Sequence, residues 1–213
     1  MDLKKQTFSL EYAGRTLTLE TSRLAEQANA AVLGTYGDST VLATVVMGKK
    51  DKESSYFPLS VEYEERFYAV GKILGSRFVR REGKSSEEAV LSGRVIDRTI
   101  RPLFDQRMRR DVQVVVTVLS YDEDDDLDFL ALTTASTALS ISDIPWAGPV
   151  AGVKIVRTKA GETLINPKNS QLADMQYQLF AAGPEGRINM IEAEGIEASE
   201  EHALAGFELA MTE

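Results

Sequence analysis

Ser85-Ser86-Glu87-Glu88-Ala89-Val90-Leu91-Ser92-Gly93-Arg94-Val95-Ile96-Asp97-Arg98-Thr99-Ile100-Arg101-Pro102-Leu103-Phe104 is the stretch on which the fold turns. Val90, Leu91, Val95, Ile96, Ile100, Leu103 and Phe104 recur at helical spacing behind a Ser-Ser-Glu-Glu start, whose hydroxyls and acids suit a helix N-terminus. Upstream the period is two. Phe8, Leu10 and Tyr12, then Leu17 and Leu19, then Val41, Ala43 and Val45 alternate with polar residues, which predicts a run of antiparallel strands. Gly14 and Gly37-Asp38-Ser39 supply the hairpin turns, and Gly48 to Ser55 reads as a polar loop before an apolar segment at Phe57 to Val61. Downstream, Val112 to Leu119 is a β-branched run suited to a buried strand, and Asp128 to Ser140 is a second helix. Strands resume at Val150 to Val156, near Thr163 to Ile165, at Gln176 to Ala182 and at Arg187 to Glu192. A last helix, Ser199 to Met211, carries Ala203, Leu204, Phe207, Ala210 and Met211 on one face. Strands first, then helices interspersed with strands, predict an α+β fold in one domain over residues 1–213.

The 213 residues are 43% hydrophobic and 27% charged, enough to bury a core and too apolar for disorder. No run of eighteen apolar residues and no signal-like start mark the chain for a membrane or export, so a cytoplasmic location is expected. With no cysteine, disulfides, thiolate nucleophiles and cysteine-ligated metals are excluded. The single His202 cannot build a histidine metal cluster and is expected on the surface of the last helix. Net charge is −9, yet between Arg66 and Arg110 twelve Lys or Arg stand against five Asp or Glu. One stretch is therefore basic inside an acidic protein, although segment charge acts only where folding gathers it on a face.

Two familiar motifs fail on spacing. Gly83-Lys84-Ser85 resembles the end of a phosphate-binding P-loop, but the required earlier Gly is Phe78. Asp122-Glu123-Asp124-Asp125-Asp126 spaces oxygens like a calcium loop, but Leu127 and Thr133 stand where Gly and Glu are needed. The acidic run reads better as a solvated turn whose last acid caps the following helix. No metal ligand set and no catalytic constellation emerges.

The informative stretch is Gly75-Ser76-Arg77-Phe78-Val79-Arg80-Arg81-Glu82-Gly83-Lys84. Single-stranded RNA binding needs cations for phosphates and a flat ring for a base, and Phe78, Arg80, Arg81 and Lys84 provide both in a few residues. A core Phe surrounded by exposed arginines is the plain alternative. Arg94, Arg98 and Arg101 fall at i, i+4 and i+7 and form secondary candidates for holding phosphate. Asp97, Glu87 and Asp105 on the same stripe make a structural ladder of ion pairs an equal reading from spacing.

These residues carry a family resemblance. Phe57-Pro58-Leu59, Tyr63-Glu64-Glu65-Arg66, Gly71 to Gly83 and Arg94-Val95-Ile96-Asp97-Arg98-Thr99-Ile100-Arg101-Pro102-Leu103-Phe104 resemble the first core domain of the bacterial polynucleotide phosphorylase family. The likeness extends upstream through Leu19-Glu20-Thr21-Ser22 and Gln27 to Val32, and downstream through Ala135 to Ile144. It implies a ribonuclease PH-like fold in an enzyme that shortens single-stranded RNA from its 3′ end with inorganic phosphate, releasing nucleoside diphosphates, and that also runs in reverse. It implies other copies of itself as partners in a trimeric ring, magnesium as the cofactor, and catalytic residues in a second core domain beyond this truncated chain. Phe78, Arg80, Arg81 and Lys84 would then line a pore that grips RNA, with Arg94, Arg98 and Arg101 on the helix behind. Two positions depart from the family pattern: Val79 replaces a frequent second aromatic, and Ser22 replaces a Gly. A purely structural assembly domain and a free-standing ribonuclease PH-like enzyme for transfer RNA ends are the alternatives.

Overall fold

The computed structural model describes residues 4–73 and 85–213. β1 (Gln6–Tyr12), β2 (Arg15–Thr21), β3 (Ala30–Tyr36), β4 (Ser39–Asp51), β5 (Leu59–Glu64) and β6 (Arg110–Ser120) form one sheet in the order β1-β2-β3-β4-β6-β5. Ala13 and Gly14 both take positive φ, 47° and 75°, as a two-residue type I′ hairpin requires, and Tyr12 faces Arg15 across the turn. Gly37, at φ 61°, makes the second tight turn, with Tyr36 facing Ser39. All neighbours are antiparallel except β5 and β6, which run parallel. A parallel pair needs a crossover, and α1 (Glu87–Ile100) lies between the two in sequence and supplies it, which the expectation of purely antiparallel strands missed.

β7 (Ala151–Thr158), β8 (Thr163–Ile165), β9 (Met175–Gly183) and β10 (Met190–Gly195) form a second sheet in the order β10-β9-β7-β8. α2 (Leu127–Ile141) packs against β3 and β4 on one side and β7 on the other, with α1 beside it against β5 and the second sheet. A helix enclosed by two sheets must be apolar all round, and Phe129, Leu130, Ala131, Leu132, Ala135, Ala138 and Leu139 are all buried. α3 (Glu200–Thr212) covers the far face of the second sheet, where Val153, Ile155, Tyr177, Leu179 and Ala181 form a smaller core with Phe207, Leu209 and Ala210. The larger core is built on β6, whose Val112, Val114, Val116 and Val118 are buried, each contributing about 1.5–3 kcal/mol.

Both outer helices are rotated from the expected faces. In α1 the buried positions are Ala89, Gly93, Val95, Ile96, Thr99 and Ile100, while Val90 and Leu91 are exposed. Gly93 packs against the edge strand, where an added Cβ would make ordinary contact with Tyr63 Cβ at 3.6 Å, while Val95, Ile96 and Ile100 fill the core. In α3 the contact centres on Gly206, where a Cβ would lie 2.9 Å from the Tyr177 hydroxyl, and Leu204 and Met211 are exposed. His202, expected on the surface, is half-buried, and its carbonyl accepts the Tyr177 hydroxyl proton at 2.7 Å. The expected loop from Gly48 starts later, because β4 runs on to Asp51 through a register shift between Met47 and Asp51.

The acidic run is not a solvated turn. Asp125 is 2% exposed and accepts from Arg15 Nη1 at 2.6 Å and from the Ser39 hydroxyl at 2.8 Å. Arg15 also donates to the Asn166 carbonyl and lies 4.1 Å over the Tyr36 ring. Asp124 accepts from Ser170 N at 2.6 Å and from its hydroxyl at 3.0 Å. Asp126 does cap α2, accepting from Asp128 N at 2.9 Å, and also pairs with Lys154 at 2.5 Å. The acids therefore tie the two sheets together.

Candidate nucleic-acid interface

α1 begins at Ser86, whose hydroxyl accepts from Ala89 N at 2.9 Å, with Glu87 and Glu88 in the first turn complementing the helix dipole. Phe78, Arg80, Arg81 and Lys84 lie outside the described residues. The described chain before them ends in a closed turn. Lys72 N donates to Phe67 O at 2.9 Å and Gly71 N to Tyr68 O at 3.0 Å, with Gly71 at φ 68°, the pattern that terminates helices. Ala69 is buried under this turn, and its carbonyl accepts from Tyr121 N at 2.9 Å.

The three helix arginines do not share one fate. Arg101 grips both oxygens of Asp97, at 2.5 Å and 3.0 Å, and donates to the Leu59 carbonyl at 3.1 Å. Its guanidinium thus fastens the C-terminal end of α1 to the free edge of β5. Arg94 and Arg98 are exposed and make no ion pair among the described residues. Asp105 pairs with Arg107 instead, so among the described residues the ladder open from spacing has the single rung Asp97–Arg101.

Beside these arginines a groove of about 470 Å³ runs between α1 and β5, lined by Val61, Glu62, Glu64, Val90, Arg94 and Arg101 among others. Its acids are engaged: Glu64 pairs with Arg66 and accepts from Thr117, and Glu62 accepts from Gln113. A second groove, of about 440 Å³, has the opposite character, with Asp126, Asp128, Glu192 and Glu194 around Lys154. Burial, reinforced by the neighbouring Asp126 carboxylate, pushes the Asp128 carboxyl up to about 6, and burial raises the Tyr63 phenol well above its ordinary range. The acidic groove repels phosphate, whereas the α1 side presents the exposed cations Arg94 and Arg98.

Residues 13–145 match the model for the 3′ exoribonuclease family, domain 1. The chain belongs to the 3′ exoribonuclease family. Among curated relatives in this family, it is 52% identical over 204 residues to a polyribonucleotide nucleotidyltransferase of Exiguobacterium sibiricum, covering 96% of this chain and 27% of that protein. It is 48% identical over 212 residues to the polyribonucleotide nucleotidyltransferase of Shouchella clausii, covering 98% of this chain and 30% of that one. The chain thus spans less than a third of the length of these relatives. The crystal structure of rice (Oryza sativa) Rrp46 superposes with a TM-score of 0.70 at 13% identity, covering 96% of this chain and 86% of that one, which establishes the likeness of fold.

Among the described residues no three His, Asp or Glu side chains gather as ligands for a metal ion. Among the same residues no helix is long and apolar enough to cross a membrane.

Proposed function

We propose that residues 1–213 form one ribonuclease PH-like domain that guides single-stranded RNA within a phosphorolytic 3′-to-5′ exoribonuclease. The longer enzyme releases nucleoside diphosphates with inorganic phosphate as co-substrate, acts in the cytoplasm, and assembles as a ring of three copies. Magnesium and the reacting groups belong to a part of it outside these residues. The observation that carries this reading is the identity of about half of the positions, spread over nearly the whole chain, with polyribonucleotide nucleotidyltransferases. The Arg94 and Arg98 guanidiniums, which make no ion pair among the described residues, support the RNA-guiding role, because phosphate contact needs cations not already engaged by carboxylates. Phe78, Arg80, Arg81 and Lys84 supply the ring and the charges of the grip, and Arg94 and Arg98 extend it along the helix.

The test has two arms. Substituting Arg80 and Arg81 together by Ala weakens binding of a single-stranded oligoadenylate and flattens its salt dependence by about 0.7 per lost contact. Unchanged affinity and slope would refute the grip. In the second arm, the chain is incubated with oligoadenylate, phosphate and magnesium. Absence of nucleoside diphosphate from a folded sample fits a domain without its own reacting groups, whereas release above a blank places them within these residues and overturns the division of labour.

A further inference from the structure

We propose that Tyr68 is a base-stacking residue for single-stranded RNA, with Lys72 on the same closed turn contacting the adjoining phosphate. The proposal rests on the RNA-guiding reading above and adds a binding residue that neither the motif nor the family likeness singles out. Tyr68 is 57% exposed, although the turn that carries it is fixed at both ends. Ala69 is buried beneath it, Tyr121 N holds the Ala69 carbonyl at 2.9 Å, and the Gly71 and Lys72 amides close back onto Tyr68 and Phe67. The Tyr68 side chain makes no hydrogen bond and its ring meets no other ring among the described residues. A flat ring held on a rigid backbone and left uncommitted is what sequence-independent stacking requires, since every base offers a π face and little ordering entropy is lost on contact.

Position selects Tyr68 from the other exposed aromatics. Phe8 lies on the edge strand β1, in the hairpin at the opposite edge of the sheet from β5, and Tyr56 stands on the loop before β5, outside the turn that leads into the basic segment. Tyr68 and Phe67 both stand on the turn leading into the basic segment of residues 77–84, Phe67 being the less exposed at 39%, and the exposed Lys72 lies four residues after Tyr68.

The experiment measures the affinity of the 213-residue chain for fluorescein-labelled oligoadenylate across a salt series, in Tyr68→Ala, Tyr68→Phe, Tyr68→Leu and Lys72→Ala variants. Stacking predicts that Tyr68→Ala and Tyr68→Leu bind roughly 5- to 100-fold more weakly with an unchanged salt slope, and that Tyr68→Phe stays within about twofold. Lys72→Ala lowers the slope by about 0.7. A probe with abasic sites loses the difference between Tyr and Ala. Wild-type affinity in Tyr68→Ala, or in Tyr68→Leu, overturns the proposal. The Arg80 and Arg81 double variant separates the two readings. If it weakens binding while Tyr68→Ala does not, stacking fails and the RNA reading stands; if neither weakens binding, the RNA reading itself fails.

Discussion

Arg15 and Asp125, 110 positions apart in sequence, meet at 2.6 Å with their side chains 13% and 2% exposed. The pair joins the first hairpin to the loop before α2. Through the Asn166 carbonyl it also reaches the loop after β8, so one guanidinium spans both sheets. Asp125→Ala strands the Arg15 charge in this enclosure. Breaking a buried pair from one side costs about 3–5 kcal/mol, so urea denaturation of Asp125→Ala is expected to lose stability in that range. A loss below about 1 kcal/mol would contradict the burial of the pair.

Asp128 gives a pH signature of unusual sign for an aspartate. Its carboxyl is raised from 3.8 to about 6 in the folded chain, by burial first and the Asp126 carboxylate second. Between about pH 4 and 6 the folded state therefore holds a proton that the unfolded state has lost, and stability falls as pH rises through that window. Above it the cost is constant, on the order of 3 kcal/mol. The stability of wild type minus that of Asp128→Asn, from thermal melts at each pH, is expected to decline from pH 4 to 6 and then level off. A flat or rising difference would show that Asp128 ionises as freely as in the unfolded chain.

Gly34 on β3 faces Thr134 on α2 so closely that an added Cβ would overlap the threonine hydroxyl. Thr134 is fully buried and its hydroxyl is committed to the Leu130 carbonyl at 2.6 Å, so it has no room to give. Gly34→Ala should cost roughly 1–3 kcal/mol by overpacking. Adding Thr134→Ala should recover part of that loss, and a double-mutant cycle with no coupling would place the overlap elsewhere.

The legibility of this fold in its sequence followed how local each determinant was. The turns at Gly14 and Gly37 and the cap at Ser86 were readable because neighbouring residues set them. The inward face of β4 was readable because the period of two is strict where one face meets a core, and β6 was readable as a buried strand from its β-branched run. The outward turn of Val90 and Leu91 was not, because which part of the apolar stripe meets β5 is set by tertiary packing and not by spacing. The burial of Asp125 was equally hidden: its partner Arg15 lies in another hairpin, and five acids in a row resemble a surface turn. In the candidate site, spacing placed Arg94, Arg98 and Arg101 on one stripe. Among the described residues, the Asp97 carboxylate and the Leu59 carbonyl at the edge of β5 distinguish the third from the other two.

That distinction separates stability from binding within a single helix. Arg101→Ala leaves Asp97 without its bidentate partner and the Leu59 carbonyl without a donor, for an expected loss of about 1–3 kcal/mol in urea denaturation. Arg94 and Arg98 are exposed and touch no carboxylate among the described residues, so their joint replacement by Ala should alter stability by about 0.5 kcal/mol or less. The same double variant should weaken oligoadenylate binding and lower the salt slope by roughly 1.4, two contacts at about 0.7 each. Loss of stability in the double variant with no change in slope would reverse the assignment, making these arginines structural and leaving the RNA path to residues 78–84 and Tyr68.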